Sequence, residues 1–381
     1  MRKGLTLLLI LTLLVAGVGR AENTVDPDAF VDRLFKVRRV IGGAVIVSRD
    51  GEVLYTRTYG FKERDAKNPV TLDTCYRIAS VTKFVSAAGL VQLMVEKGLS
   101  PDTPVRDILK RNVVNPAYPD EPITVRQVLT HTTGLKSGMK YHPNWEILNK
   151  FNDRYFTEKT RPGTRYIYAN LNGGLIGAMI EALSGQSVNT YMREHVFDPL
   201  GINAAYQPGL LPDPSDIANR LGKAGRIQES VAAQFEHYAD YEDFCDPDNH
   251  TEYTVGQLYI SARGLDAFLS MMCGNARGLR EDVLPAGTVA EMTRAQNFEG
   301  SSVLVDKRYV LGMERLTDLP GGNWYGHQGM MDGLSSDAYF QPDTGLCVTV
   351  IANGYKIYTT DGVASIAREV MTWASTELIG E

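Results

Sequence analysis

The chain has 381 residues, of which 44% are hydrophobic and 22% are charged, and its formal net charge is -6. This length and composition predict a soluble protein that buries a sizeable core in one large domain or two smaller ones. An acidic balance without a basic cluster in the sequence argues against a nucleic-acid-binding protein.

The N-terminus has the features of an export signal. Arg2 and Lys3 precede an uncharged apolar run from Leu5 to Val18, and Gly19-Arg20-Ala21 provides small residues for a signal peptidase. We therefore expect a signal peptide over residues 1–21, a periplasmic or secreted protein, and no stable membrane span in the mature chain. The alternative is an uncleaved anchor, although about 14 apolar residues are fewer than the ~20 that span a bilayer.

The first predicted elements are a helix and a β-hairpin. Apolar residues recur at helical spacing from Asp26 to Val40. Two β-branched and aromatic runs, Gly43–Ser48 and Val53–Tyr59, flank the turn Arg49-Asp50-Gly51 and predict a hairpin. The chain therefore enters a sheet early.

A long helix is predicted next, from Ser80 to Lys97. This segment is apolar on most sides, and it ends at Gly98, where a left-handed cap is expected. A helix of this composition must lie at the centre of the fold.

The middle of the chain, residues 100–285, is predicted to be helical and rich in loops. It contains no internal repeat and no low-complexity tract. Thr124 is a predicted N-cap. Further helices are predicted at Asn172–Ser184, Val188–Phe197, Gly264–Met272 and Pro285–Ala295.

Strand patterns return near the C-terminus. Three strands are predicted, at Tyr309–Leu316, Asp337–Phe340 and Leu346–Ala352, followed by an amphipathic helix at Gly362–Leu378. This order predicts an α+β fold in which one antiparallel sheet takes strands from both ends of the chain. We expect residues 22–79 and 296–381 to form the sheet part, residues 80–295 to form an inserted helical part, and the site to lie in the cleft between them.

Ser80-Val81-Thr82-Lys83 is the first motif with possible chemistry. If the helix begins at Ser80, the hydroxyl lies where unpaired N–H groups and the positive end of the helix dipole point, and Lys83 lies one turn on. The alternative is that Ser80 is an ordinary N-cap. Ser137-Gly138-Met139-Lys140 has the same spacing, but it lies in a polar loop with no predicted helix after it.

Acyl transfer by Ser80 requires a base, and a lysine serves only if burial or nearby charge lowers its pKa. Tyr168-x-Asn170 provides a phenol that would complete a proton shuttle. In an extended segment, both side chains would project to one side. The alternative is that Tyr168 packs in the core and Asn170 caps the following helix.

A third motif is Tyr325-Gly326-His327-Gln328-Gly329-Met330. A strand edge here would present the Met330 N–H group as one oxyanion donor, opposite the N–H group of Ser80. His327 would bind an anionic substrate group when protonated, or pass a proton. The alternative is a purely structural histidine.

These motifs, in this order, resemble those of the penicillin-recognising serine hydrolases, and within them the class C β-lactamase-like group of D-Ala-D-Ala carboxypeptidases, D-amino-acid peptidases and esterases. Leu129–Leu135 and Pro162–Thr164 add to the resemblance, which covers residues 30–375. It implies Ser80 as nucleophile, Lys83 and Tyr168 as the proton-transfer pair with the base unassigned, and an oxyanion hole of the Ser80 and Met330 N–H groups. It also implies substrate contacts from Asn170, His327, Gln328 and Gly329. His131 is expected in a structural turn, and no metal or organic cofactor is implied.

Two departures bear on the substrate. His327 stands where true β-lactamases mostly carry lysine, so the cation that would hold a β-lactam carboxylate is absent or pH-dependent. Gln328 stands where threonine or serine is usual. We therefore expect a D-amino-acid-containing peptide or a small ester as substrate. The alternatives are a β-lactamase, or a binder of penicillin or cell-wall peptides that acylates and stalls.

The four cysteines are far apart and show no C-x-x-C spacing, which makes a zinc site improbable. Buried free thiols are the expected state. Oligomeric state has no signal in the sequence.

Overall fold

The computed structural model describes residues 26–64, 67–136, 155–239, 242–248, 252–296 and 307–380. The predicted signal peptide and the second serine-lysine motif at Ser137 lie outside these residues. In the described part of the chain, the strands are β1 (Gly42–Arg49), β2 (Glu52–Gly60), β3 (Cys75–Arg77), β4 (Ala204–Ala205), β5 (Arg220–Leu221), β6 (Ile227–Glu229), β7 (Tyr259–Ser261), β8 (Lys307–Val310), β9 (Met313–Leu316), β10 (Trp324–Met331), β11 (Leu334–Gln341), β12 (Leu346–Asn353), β13 (Thr359–Thr360) and β14 (Val363–Ala364).

The α-helices of the same residues are α1 (Pro27–Arg38), α2 (Val81–Glu96), α3 (Val105–Leu109), α4 (Val125–Leu129), α5 (Asn170–Ser184), α6 (Val188–Met192), α7 (Val231–His237), α8 (Tyr253–Gly256), α9 (Ala262–Ala276), α10 (Thr288–Thr293) and α11 (Ser365–Trp373). Wider turns continue α6 over Arg193–Phe197 and α11 over Ala374–Leu378. Thr124 caps α4, as the sequence predicts. Its hydroxyl accepts a bond from the Gln127 N–H group, and its own N–H group donates to Gln127 Oε1.

The main sheet joins the two ends of the chain. Its strand order is β2-β1-β12-β11-β10-β9-β8, with antiparallel neighbours. Strand β1 pairs with β12 along its whole length, from Gly42 opposite Asn353 to Arg49 opposite Leu346. This pairing confirms the α+β fold and the antiparallel sheet built from N- and C-terminal strands. The division at residues 80 and 295 stays a prediction.

Helices cover both faces of this sheet. In β1, Ala44 and Ile46 belong to the core that contains α2 and α9, whereas Val45 and Val47 belong to the core that contains α1 and α11. Alternate residues of a strand point to opposite faces, so a strand between two helical layers is apolar at every position. The site-bearing helix α2 packs in the first of these layers.

The prediction of three C-terminal strands was wrong, because the described residues contain five in the main sheet. Gly312, with a φ of +75°, divides the predicted strand Tyr309–Leu316 into β8 and β9. Strand β10 lacks a strand pattern because Gly326 and Gly329 interrupt it, and glycine has weak strand propensity. The short strands β4 and β7 lie within residues 80–295, for which the sequence predicts helices and loops only, and they form a second sheet with β3, in the order β3-β7-β4.

All four cysteines are free, and three of them are buried, as expected. Among the described residues, no helix is both long and apolar enough to cross a bilayer.

Candidate active site

Ser80 stands immediately before α2, and its side chain is half-buried. Among the described residues, no amide of the first helical turn donates to the Ser80 hydroxyl, so the alternative of an ordinary capping serine does not hold. The preceding residue, Ala79, has a φ of +49°. A left-handed alanine costs of the order of 1–3 kcal/mol, and such strain is typical of residues that a surrounding structure forces into position.

Lys83 lies one turn into α2 and is almost fully buried, at 1% exposure. Its Nζ donates to Ser80 Oγ at 3.2 Å and to the carbonyl oxygen of Val255 at 2.6 Å. Burial lowers the pKa of Lys83 to about 7, because removal from water disfavours the ammonium form. A useful fraction of this amine is therefore neutral near pH 7.

The buried Lys83 side chain packs against Gly173 of α5. A Cβ at Gly173 would lie 2.8 Å from Lys83 Cε and 3.1 Å from its Cγ. A glycine here allows the lysine stem to cross the face of α5 and reach Ser80.

Tyr168 lies in the extended segment before α5, and its hydroxyl donates to Ser80 Oγ at 2.9 Å. The phenol and the Lys83 amine therefore converge on one oxygen. The ammonium of Lys83 is also 5.3 Å from the centre of the Tyr168 ring. This placement excludes the alternative in which Tyr168 is a core residue remote from the serine.

His131 holds the segment that carries Tyr168. The Ala169 N–H group donates to His131 Nδ1 at 3.2 Å, and the Ile167 N–H group donates to the His131 carbonyl oxygen at 2.8 Å. The side-chain nitrogen of Asn172 lies 3.1 Å from the same Nδ1. His131 has a φ of +56° in a turn, as expected, but its ring also stacks on Tyr168. Sequence reasoning gave this residue no role at the site.

Strand β10 places its edge against Ser80. A Cβ at Gly329 would lie 2.2 Å from the Ile78 carbonyl oxygen and 3.1 Å from the Ser80 backbone nitrogen. Pairing between β10 and β9 covers only Trp324 to Gly326, so the next part of this edge is left to face the site. Met330 follows Gly329 and lines the cleft at Ser80.

His327 is buried beside Tyr168, with 6.3 Å between the ring centres. Its Nε2 lies 2.8 Å from the Tyr309 hydroxyl, and its Nδ1 faces the carbonyl oxygen of Gln328. A carbonyl only accepts, so Nδ1 carries a proton and the Tyr309 hydroxyl donates to Nε2 when the ring is neutral. Both nitrogens are thus engaged by protein groups, and a direct bond to a substrate carboxylate would have to replace one of them.

Gln328 differs from its two neighbours in β10. Gly329 faces α2, so strand pleating puts the Gln328 side chain on the opposite face of the sheet. The described residues supply no hydrogen-bond partner for Gln328 Oε1, which is buried. Its contact with the site is therefore the carbonyl that faces His327 Nδ1.

A cleft of about 170 Å³ opens beside Ser80. Asn170, the first residue of α5, lines it with Ser80; the N-cap of α5 is Ala169, so Asn170 is not the capping residue. The remaining lining includes Arg77, Arg220, Glu252 and Met331. Arg77 and Arg220 share the carboxylate of Glu229, at 3.8 and 3.1 Å.

The structure brings most of the predicted site residues together around the Ser80 side chain and its cleft, as the sequence predicts. They are Ser80, Lys83, Tyr168, Asn170, Gly329 and Met330. The Val255 carbonyl was missed because a main-chain acceptor leaves no sequence signal. The signal for Gly173 was the small-residue character of its helix, which the sequence shows but does not connect with Lys83.

The profile of the family described as Beta-lactamase matches residues 27–368. Among curated proteins, esterase EstB of Burkholderia gladioli is 32% identical over 193 residues, or 46% of this chain and 49% of the esterase. Penicillin-binding protein 4 of Amycolatopsis lactamdurans is 25% identical over 372 residues, or 92% of this chain and 88% of that protein. The match to EstB thus spans about half of that relative's length.

Solved structures have the same fold. The octameric penicillin-binding protein homologue from Pyrococcus abyssi superposes with a TM-score of 0.72 at 22% identity, covering 93% of this chain and 76% of that one. SurE with D-Leu superposes with a TM-score of 0.67 at 25% identity, covering 86% and 70%. Because the family profile spans nearly all of the described residues and the serine, lysine and tyrosine meet in space, the chain belongs to the Beta-lactamase family of serine hydrolases.

Proposed function

We propose that this protein hydrolyses small acyl compounds through a covalent acyl-enzyme on Ser80. The observation that carries the proposal is the convergence of the Tyr168 hydroxyl and the Lys83 amine on Ser80 Oγ, at 2.9 and 3.2 Å. A serine hydroxyl is a weak nucleophile until a neighbouring group removes its proton. Here two groups with that capacity touch the same oxygen.

In the acylation step, Ser80 Oγ attacks the substrate carbonyl carbon and its proton passes to the Lys83–Tyr168 pair. Collapse of the tetrahedral intermediate breaks the bond to the leaving group, and the Lys83–Tyr168 pair gives that proton to the leaving group. Neutral Lys83 accepts the proton directly, or Tyr168 accepts it as the phenolate while the Lys83 ammonium, 5.3 Å from the centre of the Tyr168 ring, stabilises the negative charge. Both routes return the pair to its starting protonation state.

The negative charge that develops on the substrate oxygen requires two aligned donors. We assign these to the N–H groups of Ser80 and Met330. Support comes from the close approach of β10 to the N-terminus of α2, where a Cβ at Gly329 would lie 3.1 Å from the Ser80 backbone nitrogen. The helix dipole of α2 adds positive potential at the same place.

Deacylation uses the same groups in the reverse order. Water replaces the leaving group, donates a proton to the Lys83–Tyr168 pair, and attacks the acyl carbon. The ester bond to Ser80 Oγ breaks, and Oγ recovers the proton from the pair.

For the substrate, we propose D-amino-acid-containing peptides or small esters. The cleft beside Ser80, at about 170 Å³, matches a small acyl group. The relatives named above include an esterase and a protein solved with D-Leu, which supports both substrate classes without choosing between them. Asn170 lines this cleft, and we propose that its amide contacts the acyl side chain.

Two alternative functions remain to be tested, a β-lactamase and a binder of cell-wall peptides. Efficient β-lactam hydrolysis is disfavoured because His327 is buried and bonded to Tyr309, which leaves it a poor substitute for an exposed lysine cation. A protein that binds cell-wall peptides without turnover would acylate once and stop.

The test combines active-site labelling with one substrate screen. A fluorophosphonate should label the wild type with one adduct, assigned to Ser80 by peptide mass spectrometry, and should not label Ser80→Ala. Undiminished labelling of Ser80→Ala, or an adduct at Ser137, would contradict the proposal. Steady turnover of p-nitrophenyl esters, D-alanyl peptides or nitrocefin then identifies the substrate class, and a burst with no steady rate identifies the stalled binder.

A further inference from the structure

A second and larger cleft lies outside the residues assigned to catalysis. It has a volume of about 1250 Å³ and forms where four segments meet: the end of α1, the end of β2, the β5–β6 hairpin and the residues after β12. Six cationic side chains line it, together with one carboxylate, Glu63. The cations are Arg38, Arg39, Arg64, Lys223, Arg226 and Lys356.

Within the described residues, most of this positive charge has no carboxylate partner. Arg38 pairs with Glu369, and Arg64 donates to the carbonyl oxygen of Ala224, which carries no net charge. In the part of the chain that the structure describes, no carboxylate forms an ion pair with the other four cations, Arg39, Lys223, Arg226 and Lys356. These four are also exposed. Such a concentration of cations on a chain of net charge -6 creates a local field that attracts anions.

The cleft is held in shape by the backbone of the hairpin. The Gly222 N–H group donates to the Arg226 carbonyl oxygen at 2.7 Å, and the Gly225 N–H group donates back to Gly222 at 2.7 Å. A Cβ at Gly225 would lie 2.9 Å from the Arg64 guanidinium, so the loop packs directly on that side chain. The Asn353 side chain fixes the hairpin to β12 through bonds with Leu221 and with the carbonyl of residue 219. The cations are therefore arranged on a fixed frame.

Apolar side chains stand next to these charges. Val37, Ile227 and Tyr358 line the same cleft and are 67%, 51% and 52% exposed. Guanidinium groups match phosphate oxygens with paired hydrogen bonds, and lysines add point charges. Exposed apolar groups beside them suit a ligand in which phosphate is attached to an apolar body.

We propose that this cleft binds a phosphate-bearing ligand. The chemistry is shared by soluble oligophosphates and by the headgroups of anionic phospholipids. The β5–β6 hairpin links the cleft to the active site, because Arg220 at its start lines the Ser80 cleft while Lys223 to Ile227 line the basic one. A ligand in the basic cleft would be separated from Ser80 by the β5–β6 hairpin and would leave the cleft beside Ser80 open.

The test uses the full chain and two probes. Isothermal titration calorimetry with inorganic tripolyphosphate, at about 50 and 200 mM salt, should show binding that weakens with salt as charges are screened. Sedimentation with vesicles of phosphatidylcholine and phosphatidylglycerol reports the lipid source. Tripolyphosphate binding alone assigns a soluble ligand, and vesicle binding assigns a headgroup; either supports the proposal.

The decisive comparison is between two triple variants of equal charge change. Arg39→Gln/Arg226→Gln/Lys356→Gln should lose at least about tenfold in affinity, whereas Lys97→Gln/Arg106→Gln/Lys110→Gln, at exposed positions outside the cleft, should stay within about twofold. Ser80→Ala should bind like the wild type, which separates this proposal from the catalytic one. Wild type that binds neither probe, or equal losses in both triple variants, would overturn it.

Discussion

The imidazole of His131 stacks on the phenol ring of Tyr168, with 4.4 Å between the ring centres and 28° between the planes. The same residue accepts hydrogen bonds from the amides on either side of Tyr168, one at its ring and one at its carbonyl. Burial, with the positive charges of Lys83 and His327, holds the pKa of His131 well below its usual range. A neutral ring keeps Nδ1 as an acceptor throughout the neutral pH range.

We therefore expect His131 to be a positioning residue for Tyr168. His131→Ala should lower kcat/KM by about 10–100-fold, since small misplacements of a catalytic group have effects of this size. The rise of the acylation rate with pH near 7, which depends on Lys83, should be unchanged in this variant. His195→Ala is the matched control. The His195 ring also stacks on a tyrosine, Tyr191, with 4.5 Å between the ring centres, but it does so away from the site. Equal losses in the two variants would reduce His131 to a stability role. Partial recovery in His131→Asn, which retains an acceptor, would support positioning.

The pH dependence of acylation should follow Lys83. Below its pKa of about 7 the amine is protonated and cannot accept the serine proton, so the acylation rate should rise with pH through a limb centred near 7. Stopped-flow labelling with a fluorophosphonate across pH 5–9 measures it. Lys83→Ala should lose about 10²–10⁴-fold and lose the limb as well. A loss below about tenfold would show that the proton leaves by another route.

Lys83 should also shape stability. The unfolded chain keeps the lysine proton up to about pH 10.4, whereas the folded chain releases it near 7. The unfolded state thus binds more protons in that window, so the free energy of unfolding should rise with pH by up to about 1.4 kcal/mol per unit. Urea titrations should show that Lys83→Met removes this rise. Lys97→Met, at the exposed end of the same helix, should leave it unchanged.

Gly173 should be required for activity more than for folding. An alanine there places Cβ 2.8 Å from Lys83 Cε, and the lysine must move to avoid it. We expect Gly173→Ala to lower the acylation rate at least about tenfold, as a misplaced proton carrier would. Gly274→Ala in α9 is a close match, since its Cβ also meets a long side chain, Arg280, at 2.8 Å. Acylation rates and melting temperatures of both variants decide the point; an active Gly173→Ala would mean that Lys83 has room to adjust.

Gly329 should matter through the oxyanion donors. A methyl group at this position meets the backbone of Ile78 and Ser80, neither of which is a flexible side-chain end. Gly329→Ala should separate β10 from α2 and reduce kcat by about 10²–10³-fold, the usual effect of one lost oxyanion donor. The affinity for a boronic acid transition-state analogue should fall in parallel, with KM much less affected. A proportional change in KM alone would place Gly329 in substrate binding.

Local patterns carried most of the fold. The apolar spacing of α2, the hairpin turn at Asp50 and the N-cap at Thr124 depend on neighbours a few residues apart, and all three appear where the sequence predicts them. The sequence failed to predict strands whose formation depends on pairing with a distant segment. Strand β10 forms despite its glycines because β11 pairs with it from Tyr325 to Met331.

The sequence by itself determined that a serine–lysine helix, a tyrosine–asparagine segment and a histidine–glycine strand occur in an order that marks the family. Only the tertiary structure decided what these groups can do. The pKa of Lys83 is lowered because distant segments bury it, and His131 contacts Tyr168 because α4 and α5 bring them together. The basic cleft has the same origin, since its cations are spread from Arg38 to Lys356 and no sequence window contains them. Burial and charge density depend on distances in space, which composition and spacing do not contain.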